Sequence, residues 1–218
     1  SYFYAVTRIP ISRAKTSLLT GASPLSSLVI KSLIRDYDVF FSQSVCESLQ
    51  VELQPDDVIF VDRKVFSHLN KEAQQLITAN KHTFIDATED QKSYTALTPI
   101  IEQLIENRFR RNNRLVAIGG GITQDITAFI ASIMYRGVEW LFFPTTLLSQ
   151  ADSCIGGKTS INIGKYKNQL GNFYPPLKIF IIPELVQSLP EQDFKSGMGE
   201  MLHFYLVSGK EDFTFYQE

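Results

Sequence analysis

An apolar run from Leu115 to Ile118 passes straight into Gly119-Gly120-Gly121, and residues with helical spacing follow. A strand that ends in glycines before a helix leaves few options. The turn is tight, the backbone is open to close approach, and the helix presents unpaired N–H groups at the strand's carboxyl end. The same alternation continues on both sides. Strands are predicted at Tyr2 to Ile9, Asp38 to Phe41, Asp57 to Asp62, His82 to Asp86, Trp140 to Pro144 and Lys178 to Ile182. Ser12 to Leu28 is polar and reads as a loop or hairpin, and Val45 to Leu49 as a turn of helix. Helices are predicted at Val65 to Ala79, with Phe66, Leu69, Ala73, Leu76 and Ile77 on one face, and at Asp125 to Tyr135. A third spans Ser93 to Arg108, with Leu97, Ile100, Ile101, Leu104 and Ile105 as its stripe and Pro99 in an early turn. Strand and helix in turn predict an α/β fold: a parallel sheet with helices on both faces. From Pro190 the pattern is helical, so residues 1–189 are expected to form the α/β domain and 190–218 the start of an α-helical one. That second part is too short to bury its own core.

Composition narrows the class of function. In 218 residues, 44% are hydrophobic and the net charge is −2, so no global charge favours nucleic acid or an anionic membrane. No apolar run reaches the roughly 18 residues of a membrane span; Trp140 to Leu148 is interrupted by Pro144. Two cysteines suit a reduced compartment, and a cytoplasmic protein is expected.

Several positions carry potential chemistry, each beside a plainer reading. The glycine triplet is equally a tight turn or a phosphate cradle. Asp62, at a strand's carboxyl end, suits ribose hydroxyls or an ordinary loop. Asp125 suits a ligand or a helix N-terminus. Glu89 and Lys92 have the spacing of a surface ion pair. Pro144-Thr145-Thr146 ends a strand where open sheets bind ligands. Gly156-Gly157-Lys158-Thr159 resembles the end of a P-loop, but Asp152 stands where the first glycine is needed. Lys158, Lys165 and Lys167 with Asn162, Asn168 and Asp152 then offer a cradle for a phosphorylated, hydroxyl-rich substrate. Glu200 and His203, three apart, are half of a possible zinc site. The other histidines, His68 and His82, read as surface or helix-end residues.

Together these segments resemble the 3-dehydroquinate synthase family of sugar-phosphate cyclases. The likeness runs from about Asp57 to about Phe213 and rests on ordered segments: GGG followed by Asp125, Arg136-Gly137, PTTLL, Gln150 and Asp152, GGKT, Lys167-Asn168, Phe173-Tyr174, Leu189-Pro190 and Gly199-Glu200. It implies a Rossmann-like domain with NAD held by Asp62, Glu89, Lys92, Gly120, Gly121, Asp125, Thr145 and Thr146. It implies catalytic and substrate contacts from Asp152, Lys158, Lys167 and Asn168, and Glu200 as one ligand of zinc or cobalt. The implied enzyme is a homodimeric lyase of the shikimate pathway. It oxidises a sugar phosphate with NAD, eliminates phosphate, reduces the ketone and closes a carbocycle. The sequence departs from the family at His203, usually Lys, and at Tyr166, usually Gly; residues 1 to about 36 have no clear counterpart. By the same resemblance, two histidine ligands and an arginine–lysine phosphate clamp belong to a longer helical domain. The chain is therefore expected to be a fragment or to need a partner chain. A sedoheptulose 7-phosphate cyclase is the alternative within this class. Metal-dependent alcohol and glycerol dehydrogenases rank below it, since they are expected to lack the GGKT and Lys-Asn segments. A catalytically incomplete NAD-binding module is the non-enzymatic alternative.

Overall fold

The computed structural model describes residues 26–187 and 191–208. The strand expected at Tyr2 to Ile9 and the boundary at Leu189-Pro190 lie outside the described residues. Seven strands form one sheet: β1 (Ser26–Ile30), β2 (Tyr37–Phe41), β3 (Val58–Asp62), β4 (His82–Ile85), β5 (Leu115–Gly119), β6 (Trp140–Pro144) and, late in the chain, β9 (Lys178–Ile181). Their order across the sheet is β1-β2-β9-β6-β5-β3-β4. Every neighbouring pair is parallel except β1 with β2. Ser26 to Leu28, the end of the stretch expected to be a loop or hairpin, are thus in a strand that pairs antiparallel with β2. A separate antiparallel hairpin, β7 (Ile161–Ile163) and β8 (Tyr166–Leu170), stands outside the sheet.

Alternate residues of each central strand face opposite sides, as strand geometry requires. Val58, Phe60, Leu115, Ala117, Trp140 and Phe142 pack on one face beneath α4 (Tyr94–Glu106) and α5 (Gly121–Ile133). Ile59, Val61, Val116, Ile118, Leu141 and Phe143 pack on the other, beneath α1 (Val45–Glu52) and α3 (Lys71–Thr78). Both faces are covered, which is why β3, β5 and β6 are buried along their whole length.

The helix expected over Val65 to Ala79 is two helices, α2 (Arg63–His68) and α3. Asn70 separates them: its side chain accepts the Ala73 N–H at 2.9 Å, an N-cap that starts a new helix. Pro99 lies inside α4 without ending it. α5 begins at Gly121, four residues before the expected start, so Asp125 sits in its second turn and not at its N-terminus. The last two helices among the described residues are α6 (Pro183–Gln187) and α7 (Glu191–Ser208). Gly197 lets α7 approach the loop after β6, because a Cβ there would stand 3.0 Å from Leu147 Cβ.

At the amino-terminal edge of the sheet a buried ion pair joins β3 to β5. Arg114 donates to both carboxylate oxygens of Asp57, at 2.7 and 3.2 Å. Lys178 reaches Glu52 from β9 at 2.8 Å. No helix among the described residues is long and apolar enough to cross a membrane.

Candidate functional site

The chain leaves β3 toward β4 on one side and returns through α4 to β5 on the other. The carboxyl ends of β3 and β5 thus flank the point where strand order reverses, the usual crevice for a ligand in an open α/β sheet. Asp62 ends β3, Gly119 to Gly121 follow β5, and Thr145 and Thr146 follow β6.

Each glycine of the triplet answers to a different neighbour. A Cβ on Gly119 would collide with the Thr123 side chain, and one on Gly120 would stand 2.7 Å from Thr146 Cγ2. One on Gly121 would meet nothing within 4 Å among the described residues. Packing therefore requires the first two, whereas the third opens outward. Gly120 caps α5 without a side-chain hydrogen bond, so first-turn N–H groups remain available to an anion. Two buried hydroxyls flank Gly119 without partners among the described residues: Thr123 Oγ1 and Thr145 Oγ1. A hydroxyl left so costs about 1–3 kcal/mol, which a ligand that pairs with it recovers. Thr146 is occupied differently, its hydroxyl closing a turn with Ser149 Oγ at 2.8 Å. Asp62 accepts the Lys64 N–H at 2.8 Å and so caps α2 from the same strand end.

A second cluster joins the turn before α4 to α5 and to the β7–β8 hairpin. Lys92 does not pair with Glu89, as its spacing suggested. It turns to Asp125 at 2.9 Å, where both side chains are largely buried. Burial pushes the Asp125 carboxyl above its ordinary value, and Lys92 works against that shift. Glu89 accepts from Asn162 Nδ2 at 2.8 Å, and this bond holds its carboxyl below the ordinary range, helped by Lys92 and Lys167. Lys167 Nζ stands 3.9 Å from Glu89. Asn168 adopts a left-handed backbone, φ 56°, and accepts from Ser160 Oγ at 2.8 Å.

Asp152 lies in a π-helical turn, Ser149–Ser153, that Gln124 ties to α5 by donating to Ser153 O at 2.7 Å. Burial raises the Asp152 carboxyl, and the positive charge of Lys158 opposes the rise. Lys158, Lys167 and Asn168 are exposed. Glu200 is exposed on α7, and among the described residues no group of three or more His, Cys, Asp or Glu is placed to hold a metal. A cavity of about 190 Å³ beside His82 and Leu104 holds none of these residues.

The cofactor-side candidates therefore fall into two adjacent groups, one at the strand ends and one around Lys92 and Asp125. Sequence reasoning placed Asn162 only in a general cradle and passed over Thr123. A polar residue in the first turn of a glycine-led helix was the available signal for Thr123.

The arrangement can be compared with known proteins. Residues 82–196 match the family model described as 3-dehydroquinate synthase N-terminal. A 3-dehydroquinate synthase of Prochlorococcus marinus (strain MIT 9515) is 35% identical over 202 residues, covering 87% of this chain and 55% of that protein. A 2-deoxy-scyllo-inosose synthase, solved with carbaglucose-6-phosphate, NAD+ and Co2+, aligns at TM-score 0.67 and 26% identity, over 77% of this chain and 49% of its own. The 2-epi-5-epi-valiolone synthase of Streptomyces hygroscopicus subsp. jinggangensis 5008, solved with NAD+ and Zn2+, aligns at TM-score 0.68 and 25% identity, over 86% and 51%. The chain spans about half the length of the curated relatives it matches. With the family model extending over more than half of its residues, the chain belongs to the 3-dehydroquinate synthase N-terminal family.

Proposed function

We propose that this chain is the NAD-binding part of a 3-dehydroquinate synthase, a carbon–oxygen lyase of the shikimate pathway. The whole protein would convert 3-deoxy-D-arabino-heptulosonate 7-phosphate to 3-dehydroquinate by oxidation, loss of phosphate, re-reduction and ring closure. The observation that carries this reading is the strand-end cradle: a helix with no side-chain cap, an outward-open Gly121 and a Thr145 hydroxyl without a partner among the described residues, at the neighbouring ends of β5 and β6. The N–H groups of α5 and the Thr145 hydroxyl suit a dinucleotide's pyrophosphate and hydroxyls, and Asp62 and Glu89 offer acceptors to its ribose. When bound, NAD supplies reversible oxidation of a substrate hydroxyl.

The chain's own residues do the rest. Lys158 and Lys167 would hold phosphate by charge, and Asn168 would bind hydroxyls. Asp152, facing Lys158 in a partly buried turn, would orient the sugar. The buried Lys92–Asp125 pair keeps a cation beside the cofactor crevice without exposing it to solvent. The described residues do not by themselves build the zinc or cobalt centre that the family resemblance implies; Glu200 would supply one ligand of it. We assign residues 1–189 to the α/β domain and those from 190 to a helical domain, in a cytoplasmic homodimer. The test is inorganic phosphate release by the full-length protein with NAD and a divalent metal. Release from 3-deoxy-D-arabino-heptulosonate 7-phosphate is expected. Release from sedoheptulose 7-phosphate alone would move the activity to a sister cyclase.

A further inference from the structure

Asn162 is 6% exposed, and its backbone and side chain together bond three other residues, Lys92, Glu89 and Asn168. Its backbone N–H donates to Lys92 O at 2.9 Å, setting β7 beside the turn before α4. Its side chain faces two ways. The Asn168 N–H can only donate, so the oxygen, Oδ1, must face it, at 2.8 Å. That leaves Nδ2 to donate to Glu89, at 2.8 Å to the carboxylate and 3.3 Å to the carbonyl. One amide thus spans the Glu89 to Ser93 turn and the strand that carries Lys167 and Asn168. Those segments are more than 70 residues apart in sequence. Ile161 and Leu170 seat the base of the hairpin on the core, whereas Ile163 and Tyr166 nearer its tip stay exposed, so packing leaves the lysine-bearing end to be held by polar contacts.

We propose that Asn162 is a positioning residue that locks the lysine-bearing hairpin to the Glu89 turn, so that the cofactor side and the substrate side of the crevice keep one register. This rests on the functional reading above. Two substitutions separate its halves. Asn162→Asp keeps an acceptor for Asn168 but sets a second carboxylate against Glu89. Asn162→Ala removes both contacts.

In the full-length protein, Asn162→Asp is expected to weaken NAD binding about tenfold or more while leaving KM for the sugar phosphate near its original value. NAD affinity should recover as pH falls, because protonating either carboxyl ends the repulsion. The other charges facing Glu89 are Lys92 on its own turn and Lys167 from the hairpin; Asp125 on α5 acts through Lys92. Asn162→Ala is expected to weaken NAD binding and raise KM together, and to speed hydrogen exchange at the Asn168 amide, which Asn162→Asp leaves slow.

A purely structural role would lower melting temperature and active fraction in both variants. It would leave Kd, KM and the pH profile alone, and that result overturns the proposal. Amide exchange separates this outcome from failure of the functional reading. If the unsubstituted protein binds neither NAD nor sugar phosphate, the functional reading falls. Fast Asn168 exchange in Asn162→Ala alone would still uphold the positioning, and unchanged exchange would end it.

Discussion

Gly121 offers a test in which stability and binding should move in opposite directions. Gly121→Ala adds one methyl group at the first position of α5, where, its chain neighbours and the helix's own backbone apart, no atom of the described residues lies within 4 Å of it and the backbone is not left-handed. Alanine restricts the unfolded chain more than glycine does and suits a helix, so the change should stabilise the fold by about 0.4–1 kcal/mol. For a chain of this size that is a rise of about 1–4 °C in melting temperature. The methyl group also occupies the space through which a phosphate would approach the helix N–H groups. Losing one charge-assisted bond there costs about 1.5–3 kcal/mol, or roughly 10- to 150-fold in NAD affinity. Gly120→Ala is the control: its Cβ would stand 2.7 Å from Thr146 Cγ2, so it should lose about 1–3 kcal/mol of stability. Thermal unfolding followed by circular dichroism reads the first quantity, and calorimetric titration of full-length protein with NAD reads the second. A Gly121→Ala protein that binds NAD normally would remove the cradle from the α5 terminus. A protein less stable than the original would show that the space is not open.

Arg114→Met should cost about 3–5 kcal/mol in urea unfolding, because it strands the Asp57 carboxylate, whose side chain is 2% exposed. Adding Asp57→Leu should recover most of that, and a single-variant loss under about 1 kcal/mol would contradict a buried, coupled pair. Burial pushes the Cys154 thiol up to about 12 from 9.0. The unfolded chain therefore releases this proton first, and stability falls as pH rises from 9.0 toward about 12. Cys154→Ala should flatten that decline, and equal slopes in urea titrations at pH 8 and pH 10 would refute it. Lys158→Ala should raise KM for the sugar phosphate and leave NAD bound; loss of NAD would place the lysine on the other side of the crevice.

The central strands were legible because burial on both faces leaves near-continuous apolar runs, as in β3 and β5. Which residues served which face was not, since every position in those runs is apolar. The hairpin at Ile161 to Leu170 was missed for the opposite reason. Apart from Ile161 and Leu170 at its base it is largely polar, and bonds from the buried Asn162 to residues about 70 positions away help hold it. The Lys92–Asp125 pair, 33 residues apart, likewise leaves no local trace, and Glu89 looked the better partner. The break between α2 and α3 was readable in principle from Asn70, but the apolar face continues across it and hid the cap. The candidate site was legible as strand-end glycines and threonines. Its division into residues held by packing and residues left open needed coordinates.

β9 enters the sheet between β2 and β6, pairing Phe41 with Ile181. The β1–β2 hairpin cannot join the sheet until its neighbour has been made, about 140 residues later. At a ribosome's 5–20 residues per second that is a wait of roughly 7–30 s. During it the apolar positions Tyr37 and Val39, both 2% exposed in the finished fold, have β1 on one side and no partner strand on the other. The β3, β4, β5 and β6 region meets no such delay and can assemble as it emerges. Nascent chains arrested before Lys178 should thus hold a protease-resistant centre and a cleavable β1–β2 hairpin, with closure of the sheet coming last.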